Sequence, residues 1–279
     1  MSDRRSIISD RTIGTKIAVG FAAVLLVLAV SSVFAWLAFE RVAGAMDDYA
    51  RLVTNADVFQ TIDLQVTRFR GHVHEYIFSN DEVTASMASK EGEALRQLFA
   101  SGLTKISNPA GRRLLEDAAK QADLYGNNFE HVRAINLEQA KLESDVLDAV
   151  GQQMTDALQT LVAGSVKAGN VDLQRLAAEG RRLSLVARLN VSKRLGGLDE
   201  AAGKSAEQQF TDLGSVLMQL DAATKDIELN ATVKSQGPLL ERFQTAFRRA
   251  TSLDTEQRTL VSGVMKQQGD ALTADVAQG

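Results

Sequence analysis

The chain has 279 residues, a net charge of −4, no cysteine and only two prolines. The missing cysteines exclude disulfides, thiolate zinc sites, iron–sulfur clusters and thiol nucleophiles, and the acidic balance argues against a nucleic-acid partner. Few prolines, few aromatics and abundant helix formers predict long helices and an all-α fold.

The first element is an uncharged run of 23 residues, IAVGFAAVLLVLAVSSVFAWLAF, between Lys16 and Glu40. As a helix it extends about 34 Å, enough for a hydrocarbon core of about 30 Å. It is too long for the apolar part of a signal peptide, and Trp36 and Phe39 close it as interfacial anchors. Arg4, Arg5, Arg11 and Lys16 precede it, whereas Glu40, Asp47 and Asp48 follow with Arg41. The basic flank assigns the first residues to the cytoplasm. The division expected is a cytoplasmic stub over 1–16, a transmembrane helix over 17–39, and a helical region over 40–279 on the periplasmic or extracellular side of an inner (cell) membrane.

Six helices are predicted in that outer region. The first carries Phe59, Ile62, Val66, Phe69, Val73 and Tyr76 at spacings of three, four and seven and ends at Ser79-Asn80-Asp81. A shorter one follows to about Ser101. Asn108-Pro109 opens a third that continues to a break at Gly164–Asn170, with proline suited to a first turn. The fourth carries Leu173, Leu176, Leu183 and Val191 and stops at Gly196-Gly197. The fifth carries Phe210, Leu213, Leu217, Leu220 and Ile227. Gly237-Pro238 opens the sixth, whose pattern runs uncapped to the last residues, so the chain is expected to continue toward a return span. Three-four spacing on long helices predicts bundle packing.

A weak internal repeat predicts two stacked modules. VTRFRGHV at 66–73 resembles VARLNVSK at 186–193, with Arg68 against Arg188. Pro109 with Leu114-Leu115-Glu116 echoes Pro238 with Leu239-Leu240-Glu241, and Arg133-Ala134 echoes Arg249-Ala250.

Catalytic motifs are missing. There is no P-loop, dinucleotide fingerprint, nucleophile elbow or H-E-x-x-H, and His72 and His74 are two apart, on different faces of a helix. No enzyme activity, cofactor or metal is expected. Polar residues beside the apolar stripes are more informative: Gln65 and Arg68 one turn apart on the first outer helix, Arg258 and Ser262 one turn apart on the last. Arginine suits carboxylates because its planar fork makes two charge-assisted hydrogen bonds.

These features resemble the helical bimodular sensor domain of bacterial methyl-accepting chemotaxis proteins. The resemblance rests on IDLQVTRF at 62–69 with Tyr76 and SND at 79–81, and on FRRA at 247–250 with QRTLVS at 257–262. It implies a chemoreceptor input region that binds small organic acids and passes a helix shift across the membrane, and a homodimer is expected because the face of the first outer helix that carries Gln65 and Arg68 lies away from its own seam. By the same resemblance Arg68, Arg258 and Ser262 are ligand-binding, Gln65 stands where the family has the first arginine of a pair completed by Arg68, and Arg188 holds a second acid in the distal module. Other outcomes open to the residues alone are the sensor of a membrane histidine kinase or cyclase, and a membrane-anchored scaffold that binds no ligand.

Overall fold

A computed structural model describes residues 13–197 and 199–278, apart from the side chains of residues 16, 47 and 48. Arg4, Arg5, Arg11 and the side chains of Lys16, Asp47 and Asp48, which carried the expected membrane orientation, lie outside the described residues. Every element among the described residues is helical: α1 (Ile13–Ser79), α2 (Glu82–Lys105), α3 (Pro109–Leu142), α4 (Ala149–Lys167), α5 (Val171–Gly197), α6 (Glu200–Ala223), α7 (Ile227–Thr259) and α8 (Lys266–Ala277). Two π-turns, Glu143–Asp148 and Leu260–Met265, join α3 to α4 and α7 to α8 without a break, so the chain is a set of six rods. The fold is all-α.

The 67-residue α1 fuses the uncharged run with the first outer helix. It is the one helix among the described residues that is long and apolar enough to cross a membrane. The described side chains from Ile17 to Thr54 are exposed, and from Val58 onward the helix enters a core.

Capping residues set the helix starts. Asp81 accepts from Thr84 N at 2.9 Å, Asn108 from Ala110 N at 3.1 Å, and Asp199 from Ala202 N at 3.0 Å. The sixth rod starts earlier than Pro238 suggests. The Asp226 carboxylate accepts from Glu228 N at 2.9 Å and Leu229 N at 3.0 Å, which opens α7 at Ile227 and leaves Pro238 inside it. Proline there costs the helix one amide donor, and the packed rod absorbs the loss. For the same reason Ile227 belongs to α7 and not to the fifth rod, and α2 runs on to Lys105 past the expected end at Ser101. Between α4 and α5, Gly169 takes φ +61°, while Asn170 N donates to Ser165 O at 3.0 Å, a glycine-dependent helix stop.

The rods bury two separate cores. In the near bundle, adjoining the apolar half of α1, Phe69, Tyr76, Leu95, Leu115 and Phe129 from α1, α2 and α3 pack with Met265 and Leu272 at the far end of the last rod. In the far bundle, Leu158 and Leu161 of α4 pack with Leu183, Phe210, Leu213 and Phe243 of α5, α6 and α7.

The two bundles are built from one repeated unit, with a constant offset. α5 ends, α6 begins and ends, and α7 begins 118 residues after the corresponding points of α1, α2 and α3. Contacts repeat at the same offset: Glu138 binds Arg249 at 2.7 and 2.9 Å, and His131 approaches Glu256 at 3.1 Å, which is one contact seen from the two halves. The repeat predicted from the sequence is therefore present in a different register. Arg188 corresponds to Arg70 and not to Arg68, Pro109 corresponds to Ile227 and not to Pro238, and Arg133 corresponds to Thr251 and not to Arg249. Identity is low because large and small residues trade places. Phe69 lies over Gly92, whose added Cβ would come within 3.1 Å of the ring, whereas the corresponding residues are Ala187 and Phe210. Ile62 and Gly102 likewise correspond to Gly180 and Leu220. Each pair fills its core with one large and one small residue, contributed by opposite helices.

Candidate functional site

The residues expected to hold an acid fall into separate places. Gln65 is buried, and its Nε2 donates to Glu91 O at 3.1 Å and to the Glu91 carboxylate. Arg68 is exposed, with no hydrogen bond or ion pair among the described residues. The two lie about 60° apart around the helix, Gln65 on the core side of the boundary and Arg68 on the solvent side. Gln65 faces α2 and cannot face a second subunit. On the last rod Arg258 binds Asp254, one turn below, through Nε at 3.3 Å and through a second nitrogen. That bond raises the guanidinium pKa above its ordinary value. Ser262 lies in the second π-turn and donates to Arg258 O at 2.6 Å. These two are therefore neighbours. Arg70 meets Asp270 at 3.4 Å and also binds Thr273, so α1 and the last rod run in a register that sets Arg68 near Thr273. Ser262 and Arg258 are 11 and 15 residues above that point, roughly 16 and 22 Å. One chain does not bring the two pairs together.

Arg188 is placed differently. It is half-buried on α5, in the wall of a cleft of about 650 Å³ between α5, the first π-turn and α7. Leu147, Leu185, Leu189 and Phe243 supply apolar walls, and Glu143 and Asp148 stand at the rim. Its Nη1 donates to Gln152 Oε1 at 3.1 Å and lies 3.4 Å from Thr155 Oγ1, which in turn donates to Gly151 O at 2.9 Å. Gly151 makes the approach possible: a Cβ there would stand 2.9 Å from Phe243 and 3.0 Å from Arg188 Nε. No carboxylate comes within ion-pair distance of Arg188 among the described residues. Its guanidinium is a cation with neutral partners only.

The near bundle contains the same arrangement, closed by its own carboxylate. Arg70 lies over Gly269, whose added Cβ would be 3.0 Å from Arg70 Nε, and it binds Thr273, which donates to Gly269 O at 3.0 Å. Arg70, Gly269 and Thr273 are the counterparts of Arg188, Gly151 and Thr155. The difference lies at one position: where the far bundle has Gln152, the near bundle has Asp270, 3.4 Å from Arg70. Tyr125 adds a second partner, its hydroxyl pKa raised by burial and partly lowered again by Arg70, where the far bundle has Phe243.

Between the bundles, Arg194 is 2% exposed and binds Asp254 at 3.0 Å and Glu200 at 3.2 Å. Through Asp254 it is joined to Arg258 and hence to the start of the second π-turn. The counterpart in the other half is neutral: Asn136 Nδ2 lies 3.2 Å from the Tyr76 hydroxyl and 2.8 Å from Asn80 Oδ1.

Gly151, Gln152, Arg194 and Asp254 were not singled out from the sequence. A search at a fixed offset of 118 would have found R…G-[QD]-x-x-T in both halves. The match of Arg68 to Arg188 concealed it. The described residues contain no group of three or more His, Asp or Glu able to hold a metal. Compared with known proteins, the chain matches no family model and no curated protein.

Proposed function

We propose that the chain is the sensor part of a membrane-anchored chemoreceptor, with the bundles outside the cell, and that its far bundle binds a small monocarboxylate at Arg188. The observation that carries this reading is the half-buried guanidinium with only neutral partners, at the wall of an apolar cleft. An unpaired cation in such surroundings gains a charge-assisted pair of hydrogen bonds from one carboxylate. A second carboxylate on the ligand would meet Glu143 and Asp148, so an acid with an apolar body is favoured over a dicarboxylate. The exposed apolar residues Val42, Met46, Tyr49, Leu52 and Val53, on the stretch of α1 between span and bundle, support a homodimer with that stretch at its centre.

Signalling needs no covalent chemistry. A carboxylate that draws Arg188 away from Gln152 and Thr155 binds one arrangement of α4 against α5 better than another, and only that difference can shift the equilibrium. The test is calorimetry on the full chain in detergent with acetate, butyrate, benzoate, succinate and malate. Monocarboxylates are expected to bind, and Arg188→Met to weaken them about tenfold or more. No heat with any acid, or affinity unchanged in Arg188→Met, overturns the reading.

A further inference from the structure

A second cleft, of about 500 Å³, opens between α6 and α7 where the two bundles meet, on a different side of the far bundle from Arg188. Its floor is the buried ring of Phe247, and its walls carry both signs of charge: Arg194, Lys204 and Arg248 against Glu200 and Glu207. Most of these charges are already used. Arg248 clamps Glu207 with two bonds of 2.9 and 2.7 Å, and Arg194 is shared between Asp254 and Glu200. Three groups remain available. Lys204 has no ion pair among the described residues, the Glu200 side chain is 72% exposed, and Thr251 Oγ1 is buried without any hydrogen-bond partner. A buried hydroxyl with no partner is costly and rare in a native fold.

The first half of the chain shows what belongs in this space. The counterpart of Thr251 is Arg133, and its guanidinium fills the corresponding position, binding Glu82 and lying 3.4 Å from Glu130. Glu82 corresponds to Glu200, so the acidic partner is retained. The cation that would meet it has been cut back to a threonine. In the far bundle the place of a built-in cationic group is open beside a retained glutamate, and a free lysine has been added one turn along, at Lys204.

We propose that this cleft binds a free α-amino acid. Its ammonium donates to Glu200 and to Thr251 Oγ1, its carboxylate accepts from Lys204, and its side chain rests on Phe247. Mixed charge selects the zwitterion: a simple acid would meet Glu200 and Glu207, and a simple amine would meet Lys204 and Arg248. Because Glu200 also holds Arg194, occupancy reaches Asp254 and Arg258 on α7, two residues from the second π-turn. The proposal is independent of the acid site at Arg188.

The experiment is calorimetry on the detergent-solubilised full chain with the proteinogenic L-amino acids titrated singly at millimolar concentrations. At least one is expected to bind, while its decarboxylated amine and its N-acetyl derivative bind at least about tenfold more weakly. Thr251→Arg, which restores the built-in cation, is expected to abolish binding, and the exposed change Lys204→Met to weaken it about tenfold or more. Thr251→Val is expected to weaken binding while raising the melting temperature of the unliganded chain. Arg188→Met leaves amino-acid binding intact, so failure of either site is seen separately. The proposal is overturned if none of the amino acids binds, if the amine or the N-acetyl derivative binds as well as the parent, or if Lys204→Met and Thr251→Arg both leave the affinity unchanged.

Discussion

Arg70 and Arg188 occupy the same position in the two halves of the chain, each seated over a glycine and beside a threonine, yet Arg70 has Asp270 at 3.4 Å where Arg188 has Gln152 at 3.1 Å. A single exchange of carboxylate for amide separates a closed arginine from an open one. Gln152→Asp should therefore supply Arg188 with an internal carboxylate and reduce monocarboxylate affinity about tenfold or more. The reciprocal change, Asp270→Gln, should give the near bundle a second acid site. Calorimetric stoichiometry reads both, with the expected number of sites falling from one to none and rising from one to two.

The buried charges between the bundles are a second test of the repeat. Asp254→Ala leaves the Arg194 guanidinium, 2% exposed, with only the exposed Glu200. Removal of one member of a buried pair costs about 3–5 kcal/mol. The other half solves the same packing problem with Tyr76 and Asn136. The double change Arg194→Tyr with Asp254→Asn should therefore recover much of the stability lost in Asp254→Ala, measured as the midpoint of urea unfolding. A double variant no more stable than Asp254→Ala would break the equivalence.

Large-for-small exchange in the cores gives a third. Phe69→Ala removes a ring buried against Gly92 and should cost about 3–5 kcal/mol. Gly92→Phe alone forces a ring into occupied space and should also destabilise. Together they reproduce the Ala187 and Phe210 arrangement, and the combined loss should fall well below the sum. A double-mutant cycle on unfolding free energies measures this coupling directly.

Acid should loosen the contact between the long rods. Arg249 holds the Glu138 carboxyl below its ordinary range, mainly through their hydrogen bonds. A lowered folded-state pKa means that the stabilisation is complete above the ordinary carboxylate range and is lost as pH falls through the folded value. Asp275 has the opposite sign: burial, with Asp117 nearby, raises its pKa, so its charged form opposes folding at neutral pH. Melting temperature followed from neutral to acid pH should fall less steeply in Glu138→Gln than in the parent. Asp275→Asn should melt higher than the parent at neutral pH and lose that advantage in acid.

Helix content and the breaks at 80, 107 and 169 were legible because apolar spacing and capping residues are local signals. Pro238 misled because proline is compatible with a helix interior once tertiary packing replaces the lost donor. The register of the repeat was hidden by the reciprocal exchange of Phe69 and Gly92 for Ala187 and Phe210, which preserves volume across two helices and destroys identity along each. The arginines at the sites could be seen in the sequence. Which of them is neutralised could not, because Asp270 lies 200 residues from Arg70 and one turn from Thr273 on another rod.

The continuity of α3 with α4 and of α7 with α8 has a consequence for how the chain is knitted together. Each half contributes a hairpin and the first part of a long rod to one bundle, then sends the remainder of that rod into the other half's bundle. Neither half can complete its own core. The protein thus has the topology of a domain-exchanged homodimer written as one polypeptide, with the α4–α5 turn as the link between its two copies. Covalent linkage frees the copies from identity. One bundle can keep Asp270 and Arg133 as internal occupants while the other gives up both, and a symmetric pair of identical chains could never divide the work in that way.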